Sequence, residues 1–275
     1  MKSLLLSIAL CLAAAVPCLG ADAPQIPPGE LQARERLNTT PRHGEWVEVP
    51  IPGSDMKLKA WIVYPERKDK APVVIVIHEI YGLSDWIRGV CDQLAADGFI
   101  AIAPDLLTGK GKDGAGTDGF PDRDAVTKAV RSLKDDEVTS GLNATWAYAA
   151  KLPSAAAKFA TVGFCWGGTT SFRYATVQPD LGAAVVYYGT SPESGYEKIK
   201  APVLGLYGAN DSRVGATVPG AEAKMKELKK PYLPKTYDGA GHGFLRQQDG
   251  QDGANKKASE QAWAETVGFL REHLN

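Results

Sequence analysis

Thr161-Val162-Gly163-Phe164-Cys165-Trp166-Gly167-Gly168-Thr169 places one cysteine between glycines two positions away on either side. The residues before it, 160–164, form a short apolar run, and 167–176 have helical composition. A strand that turns directly into a helix through Gly-x-Cys-x-Gly is the thiol version of the Gly-x-Ser-x-Gly nucleophile elbow. Such a turn is tight, and side chains two positions either way would collide with neighbouring backbone. It also sets the sulfur at a helix N-terminus, whose positive dipole end favours thiolate over thiol. The competing reading is packing, because free cysteine is among the most buried residue types.

Outward from this stretch, short apolar runs alternate with longer amphipathic ones. Residues 46–51 and 58–64 flank the Pro52-Gly53-Ser54-Asp55 turn and predict an antiparallel hairpin. The run 73–77 is unbroken and β-branched, as in a strand covered on both faces. Helical composition at 86–96 ends at Gly98, and 99–103 is a further buried strand closed by Pro104-Asp105. Residues 109–119 hold five glycines and predict a mobile surface loop, and 123–151 a helix interrupted near Gly141. Strands are expected at 183–188, 203–207 and 233–237, with helices at 221–229 and 256–274. This alternation predicts an α/β fold: a mostly parallel central sheet with an antiparallel N-terminal edge and helices on both faces.

Ligands of such sheets bind at the carboxyl ends of the strands. His78-Glu79-Ile80-Tyr81-Gly82 follows 73–77, Cys165 follows 160–164, Asn210-Asp211 follows 203–207, and Ala240-Gly241-His242-Gly243 follows 233–237. A thiol, carboxylates and an imidazole thus converge on one rim. Cys165, Asp211 and His242 stand in the chain order nucleophile, acid, base of an α/β-hydrolase. His242 would take the thiol proton, and Asp211 would orient the imidazole. The backbone N–H groups of Trp166 and Ile80 are the expected oxyanion donors. Taken alone, Asp211 also reads as an ordinary turn residue.

These residues resemble the dienelactone hydrolase family of α/β-hydrolases. The resemblance rests on His78-Glu79-Ile80-Tyr81-Gly82, Ala103-Pro104-Asp105-Leu106, Gly163-Phe164-Cys165-Trp166-Gly167-Gly168, Val186-Tyr187-Tyr188-Gly189, Asn210-Asp211 and Ala240-Gly241-His242-Gly243-Phe244. It implies a Cys-His-Asp triad that opens an enol-lactone through an acyl-cysteine. It further implies that Glu79 contacts the resting thiol, where a carboxylate disfavours a second negative charge. Arg246 and Arg123 correspond to arginines that bind a substrate carboxylate, and Tyr188 to a substrate-binding tyrosine. Thr127 stands where the pattern has a tyrosine, so the lactone itself does not follow from the resemblance. A short-acyl esterase or thioesterase of the same fold is the alternative, and a non-catalytic exported binding protein a more distant one.

The 275 residues suffice for one sizeable core. A net charge of −1 offers no footprint for nucleic acid or an anionic membrane. Met1-Lys2, the apolar run 4–16 and the small residues near Gly20-Ala21 read as a signal peptide over 1–21, so the chain is expected to be exported, periplasmic or secreted. A lipoprotein reading through Cys18 is opposed by Pro17. Residues 22–42, with Pro24, Pro27 and Pro28, predict an extended segment before a single domain at 43–275. Signal removal leaves Cys91 and Cys165, and a bridge between them would abolish the nucleophile. The four histidines are scattered, so no metal or other cofactor is expected; the expected partner is a small ester or lactone. Oligomeric state is not legible here.

Overall fold

A computed structural model describes residues 25–274; the expected signal peptide lies outside the described residues. Eight strands form one sheet: β1 (Gly44–Pro50), β2 (Lys57–Val63), β3 (Ala71–Ile77), β4 (Ile100–Pro104), β5 (Ala155–Phe164), β6 (Ala183–Tyr187), β7 (Val203–Gly208) and β8 (Tyr232–Tyr237). Their order is β1-β2-β4-β3-β5-β6-β7-β8. Only β2 runs against its neighbours, β1 and β4; every pairing from β4 to β8 is parallel. This is the α/β architecture with an antiparallel N-terminal edge. The chain leaves β3 for β4 on one side and later returns to place β5 on the other. The crevice for a ligand therefore opens at the ends of β3 and β5.

The eight α-helices among the described residues are α1 (Ala33–Thr39), α2 (Asp85–Ala96), α3 (Arg123–Arg131), α4 (Asp135–Ala149), α5 (Trp166–Ala175), α6 (Ser212–Gly215), α7 (Val218–Glu227) and α8 (Ala254–Leu274). Strand periodicity sends alternate residues to opposite faces, and β3 shows what that does here. Val74 and Val76 pack with Trp86, Val90 and Leu94 of α2 and with Trp263 and Leu270 of α8. Val73, Ile75 and Ile77 pack instead with Val138 and Leu142 of α4, Phe172 of α5 and Met225 of α7. All seven residues of β3 are buried, which is why the run could be wholly apolar.

Three expectations change. Residues 22–42 are not simply extended: 30–32 form a 3₁₀ turn and α1 follows, with Ala33 fully buried against α2. The long helical stretch breaks at 132–134, not at Gly141. The acidic Asp135-Asp136-Glu137 starts a new helix where its dipole favours negative charge. Gly141 lies inside α4, where a Cβ would come within 3.0 Å of Leu106 Cδ2, so its glycine serves packing. The glycine-rich loop is anchored by buried Asp105, which accepts from Thr117 N–H (2.7 Å) and Thr117 Oγ1 (2.8 Å).

Candidate active site

Cys165 lies between β5 and α5 with φ +55° and ψ −114°, a backbone conformation L-residues rarely adopt. The flanking glycines make the turn possible. A Cβ on Gly163 would stand 1.9 Å from Gly167 O, and one on Gly167 would stand 2.3 Å from Ile77 O. The main chain thus presents the sulfur on the rim beside β3.

His242 Nε2 lies 3.2 Å from Cys165 Sγ, and His242 Nδ1 lies 2.5 Å from Asp211 Oδ2. Asp211 also caps α6, its Oδ1 accepting from Val214 N–H (3.3 Å), and it is 8% exposed while the His242 side chain is 36% exposed. A buried carboxylate therefore fixes the inner nitrogen of an imidazole whose outer nitrogen meets the thiol. The backbone N–H groups of Trp166 and Ile80 lie near enough to the sulfur to favour its anion. Ile80 gains its position from a tight turn, in which Gly82 N–H donates to Glu79 O (3.1 Å). His78, fully buried, stacks on Trp166 and reaches Glu79 O through Nδ1 (2.8 Å).

Burial first, and then the Glu79 carboxylate, push the Cys165 thiol up to about 11, against Trp166 N–H, the charge of Arg213 and Ile80 N–H. These influences favour the thiol over the thiolate, with His242 Nε2 at 3.2 Å as the partner for its proton. Glu79 differs from the expectation of direct contact with that thiol. Its Oε2 lies 2.7 Å from Arg246 Nε, an ion pair by distance, although that N–H has no aligned acceptor among the described residues. Burial drives the Glu79 carboxyl up to about 7, with Arg246 opposing.

Arg246 and Arg123 are brought together, but by a residue that sequence reading missed. Arg246 Nη1 pairs with Glu30 Oε2, and Arg123 Nη2 pairs with Glu30 Oε1. Glu30 fell in a segment read as extended because of its prolines, yet Glu30-Leu31-Gln32-Ala33-Arg34-Glu35-Arg36-Leu37 is rich in helix formers and could have signalled α1. Tyr188 is also placed differently. It is fully buried, its ring edge-on to His242 (centroids 5.3 Å apart), and its hydroxyl has no hydrogen-bond partner among the described residues. It supports the imidazole from behind and offers no surface to a substrate. Arg213, exposed on α6 and near enough to bias the sulfur, was not singled out from the sequence. Cys91 is fully buried, and both it and Cys165 are free thiols. Among the described residues, no group of three or more His, Cys, Asp or Glu side chains could hold a metal ion, and no helix is long and apolar enough to cross a membrane.

A mostly parallel sheet whose thiol elbow, imidazole and carboxylate line up on one rim has the α/β-hydrolase fold. A sequence profile of the dienelactone hydrolase family matches residues 58–274, and the chain belongs to that family. A Saccharolobus solfataricus protein provisionally named carboxymethylenebutenolidase is 32% identical over 247 residues, covering 78% of this chain and 94% of its own. A Yersinia pestis protein of the same provisional name is 29% identical over 253 residues, covering 87% and 93%. The crystal structure of a provisionally named dienelactone hydrolase from Klebsiella pneumoniae superposes with a TM-score of 0.74 at 27% identity, covering 84% of this chain and 99% of that one. The chain is accordingly a hydrolase of the dienelactone hydrolase type.

Proposed function

We propose that the chain cleaves small esters or lactones through an acyl-cysteine intermediate on Cys165, His242 and Asp211. The observation that carries this reading is the continuous relay from Sγ to Nε2 (3.2 Å) and from Nδ1 to Oδ2 (2.5 Å), with the backbone N–H groups of Trp166 and Ile80 near the sulfur. A substrate carbonyl enters beside Sγ with its oxygen toward Trp166 and Ile80. As sulfur attacks, its proton passes to His242 Nε2, and Asp211 stabilises the imidazolium. The two N–H donors meet the oxygen as it becomes an anion. The C–O bond of the ester breaks, and the leaving alkoxide takes the proton back from Nε2. In a lactone that alkoxide stays tethered to the acyl group. Water then loses a proton to His242 as its oxygen attacks the thioester; the C–S bond breaks, the acid leaves, and the sulfur recovers the proton from Nε2.

Glu79 tunes when the first step occurs. While ionised it opposes a thiolate, and a change that draws it away or protonates it removes that opposition. The relatives' names point to carboxymethylenebutenolide, a lactone with a free carboxylate, as one substrate of this class. The test is p-nitrophenyl acetate turnover by the wild type and Cys165→Ala, with intact-mass detection of an acetylated enzyme. Turnover and a single acetyl adduct in the wild type, both lost in the variant, are expected. Equal rates in the two proteins would reject Cys165 as the nucleophile.

A further inference from the structure

The N-terminal segment is fastened on both sides of Glu30. Ahead of it, Trp86 Nε1 donates to Pro28 O (3.0 Å) and Gln248 Nε2 donates to Pro27 O (2.8 Å). Glu30's own N–H donates to Arg246 O (2.9 Å). Beyond it, Ala33 is fully buried. Buried Asp92 then gathers Arg36 Nε (3.0 Å), Arg42 Nε (2.9 Å) and Arg42 Nη2 (2.8 Å). A side chain at position 30 is therefore held in place by its backbone and by anchors on α2 and the C-terminal region.

What it holds is a carboxylate across two guanidiniums. Arg123 and Arg246 lie over one ring, Tyr81, at 3.8 and 5.1 Å from its centroid. Each gives a nitrogen to one of the two Glu30 oxygens. Arg246 Nε lies 2.7 Å from Glu79 Oε2, whose charge acts on Cys165, so this cluster borders the candidate site. The Glu30 carboxylate thus already sits where a third carboxylate would have to bridge the two guanidiniums. Arg246 is moreover 8% exposed, with little of its surface open to a newcomer.

We propose that Glu30 is a built-in substitute for a substrate carboxylate: it fills the Arg123–Arg246 pair, so the site takes uncharged small esters or lactones and discriminates against carboxylate-bearing ones. This rests on the hydrolase reading above. It narrows that reading, because a carboxylate-bearing lactone reaches the arginines only by displacing a carboxylate that the chain already holds there. A charged substrate would also bring a second negative charge beside Glu79.

The experiment compares carboxymethylenebutenolide with its methyl ester in the wild type, Glu30→Gln and Glu30→Asp. Gln is isosteric and position 30 is partly exposed, and the urea midpoint of each variant checks that it is folded. The wild type prefers the methyl ester. Glu30→Gln shifts the ratio of kcat/KM values toward the free acid by about tenfold or more, mainly through KM, as expected for one freed charge-assisted contact. Glu30→Asp, still anionic, stays near the wild type. A wild type that prefers the free acid, or an unchanged ratio in Glu30→Gln, overturns the proposal. A second measurement does not depend on turnover: calorimetric binding of succinate to Cys165→Ala, with and without Glu30→Gln. Binding about tenfold tighter in the double variant supports the proposal, and equal binding rejects it. Loss of ester turnover in every protein would instead count against the hydrolase reading, leaving the succinate result to decide the role of Glu30.

Discussion

Glu79 makes a quantitative demand on the pH dependence of stability. Its side chain is buried to within 3% of full exclusion, and its carboxyl lies at about 7, against 4.5 for an ordinary glutamate; burial is the first cause, with Arg246 opposing and Glu30 adding to the rise. A carboxyl raised on folding holds its proton more tightly in the native state. Between the two values the native chain carries more protons than the unfolded one, so stability falls as pH increases. The contribution is complete below about 4.5 and is lost as pH rises through about 7. At about 1.4 kcal/mol per pH unit, the difference corresponds to about 3 kcal/mol. Glu79→Gln keeps the shape and removes the titration. Urea unfolding of both proteins, from about pH 5 to about pH 8, isolates the effect as a difference in slope. The wild type should lose about 2.5 kcal/mol more than the variant across that range, the remainder of the effect lying below about pH 5. Parallel stability curves would refute the account of Glu79 as a buried carboxyl that keeps its proton near neutrality. The same proton matters to chemistry, since a neutral Glu79 lifts one of the two pressures that keep Cys165 a thiol.

Asp211→Asn should lower ester kcat by about 10³-fold or more with little change in KM, because the amide cannot stabilise imidazolium or fix the reactive tautomer. A fall smaller than about tenfold in steady-state kinetics would remove Asp211 from the relay. Asp92→Ala should cost about 3 kcal/mol in urea unfolding, since it strands two arginines around a buried site. It should also loosen the N-terminal segment that carries Glu30 and move the acid-to-ester preference in the direction given for Glu30→Gln. Loss of stability with no change in preference would separate the anchor from selectivity.

The sheet was legible because its signals are local. The β-branched run at 73–77 is buried on both faces in the structure, and its alternate side chains enter two separate cores. The candidate site groups were legible because each follows a strand-like run, buried before Cys165 and Asp211 and partly exposed before His242, and topology then carries them to one rim. What escaped detection depends on contacts that no local pattern encodes. Glu30 and Arg246 are 216 positions apart, and nothing near Glu30 announces its partner. Gly141 resembled a helix breaker, but it is a helical residue that makes room for Leu106. Tyr188 carried a substrate role by resemblance, yet its burial beneath His242 is a property of the packed aromatic cluster with Phe164 and Phe244.

The turn at Cys165 has a consequence for how such a site can change. The sulfur's place is set by main-chain angles, by two glycines that leave room for them, and by the sheet behind. None of these depends on sulfur. A hydroxyl at position 165 would occupy the same point before the same imidazole and the same pair of N–H donors. The fold is in effect a socket, and the reacting atom is an interchangeable insert. A thiol and an alcohol at position 165 would therefore be presented by one and the same frame.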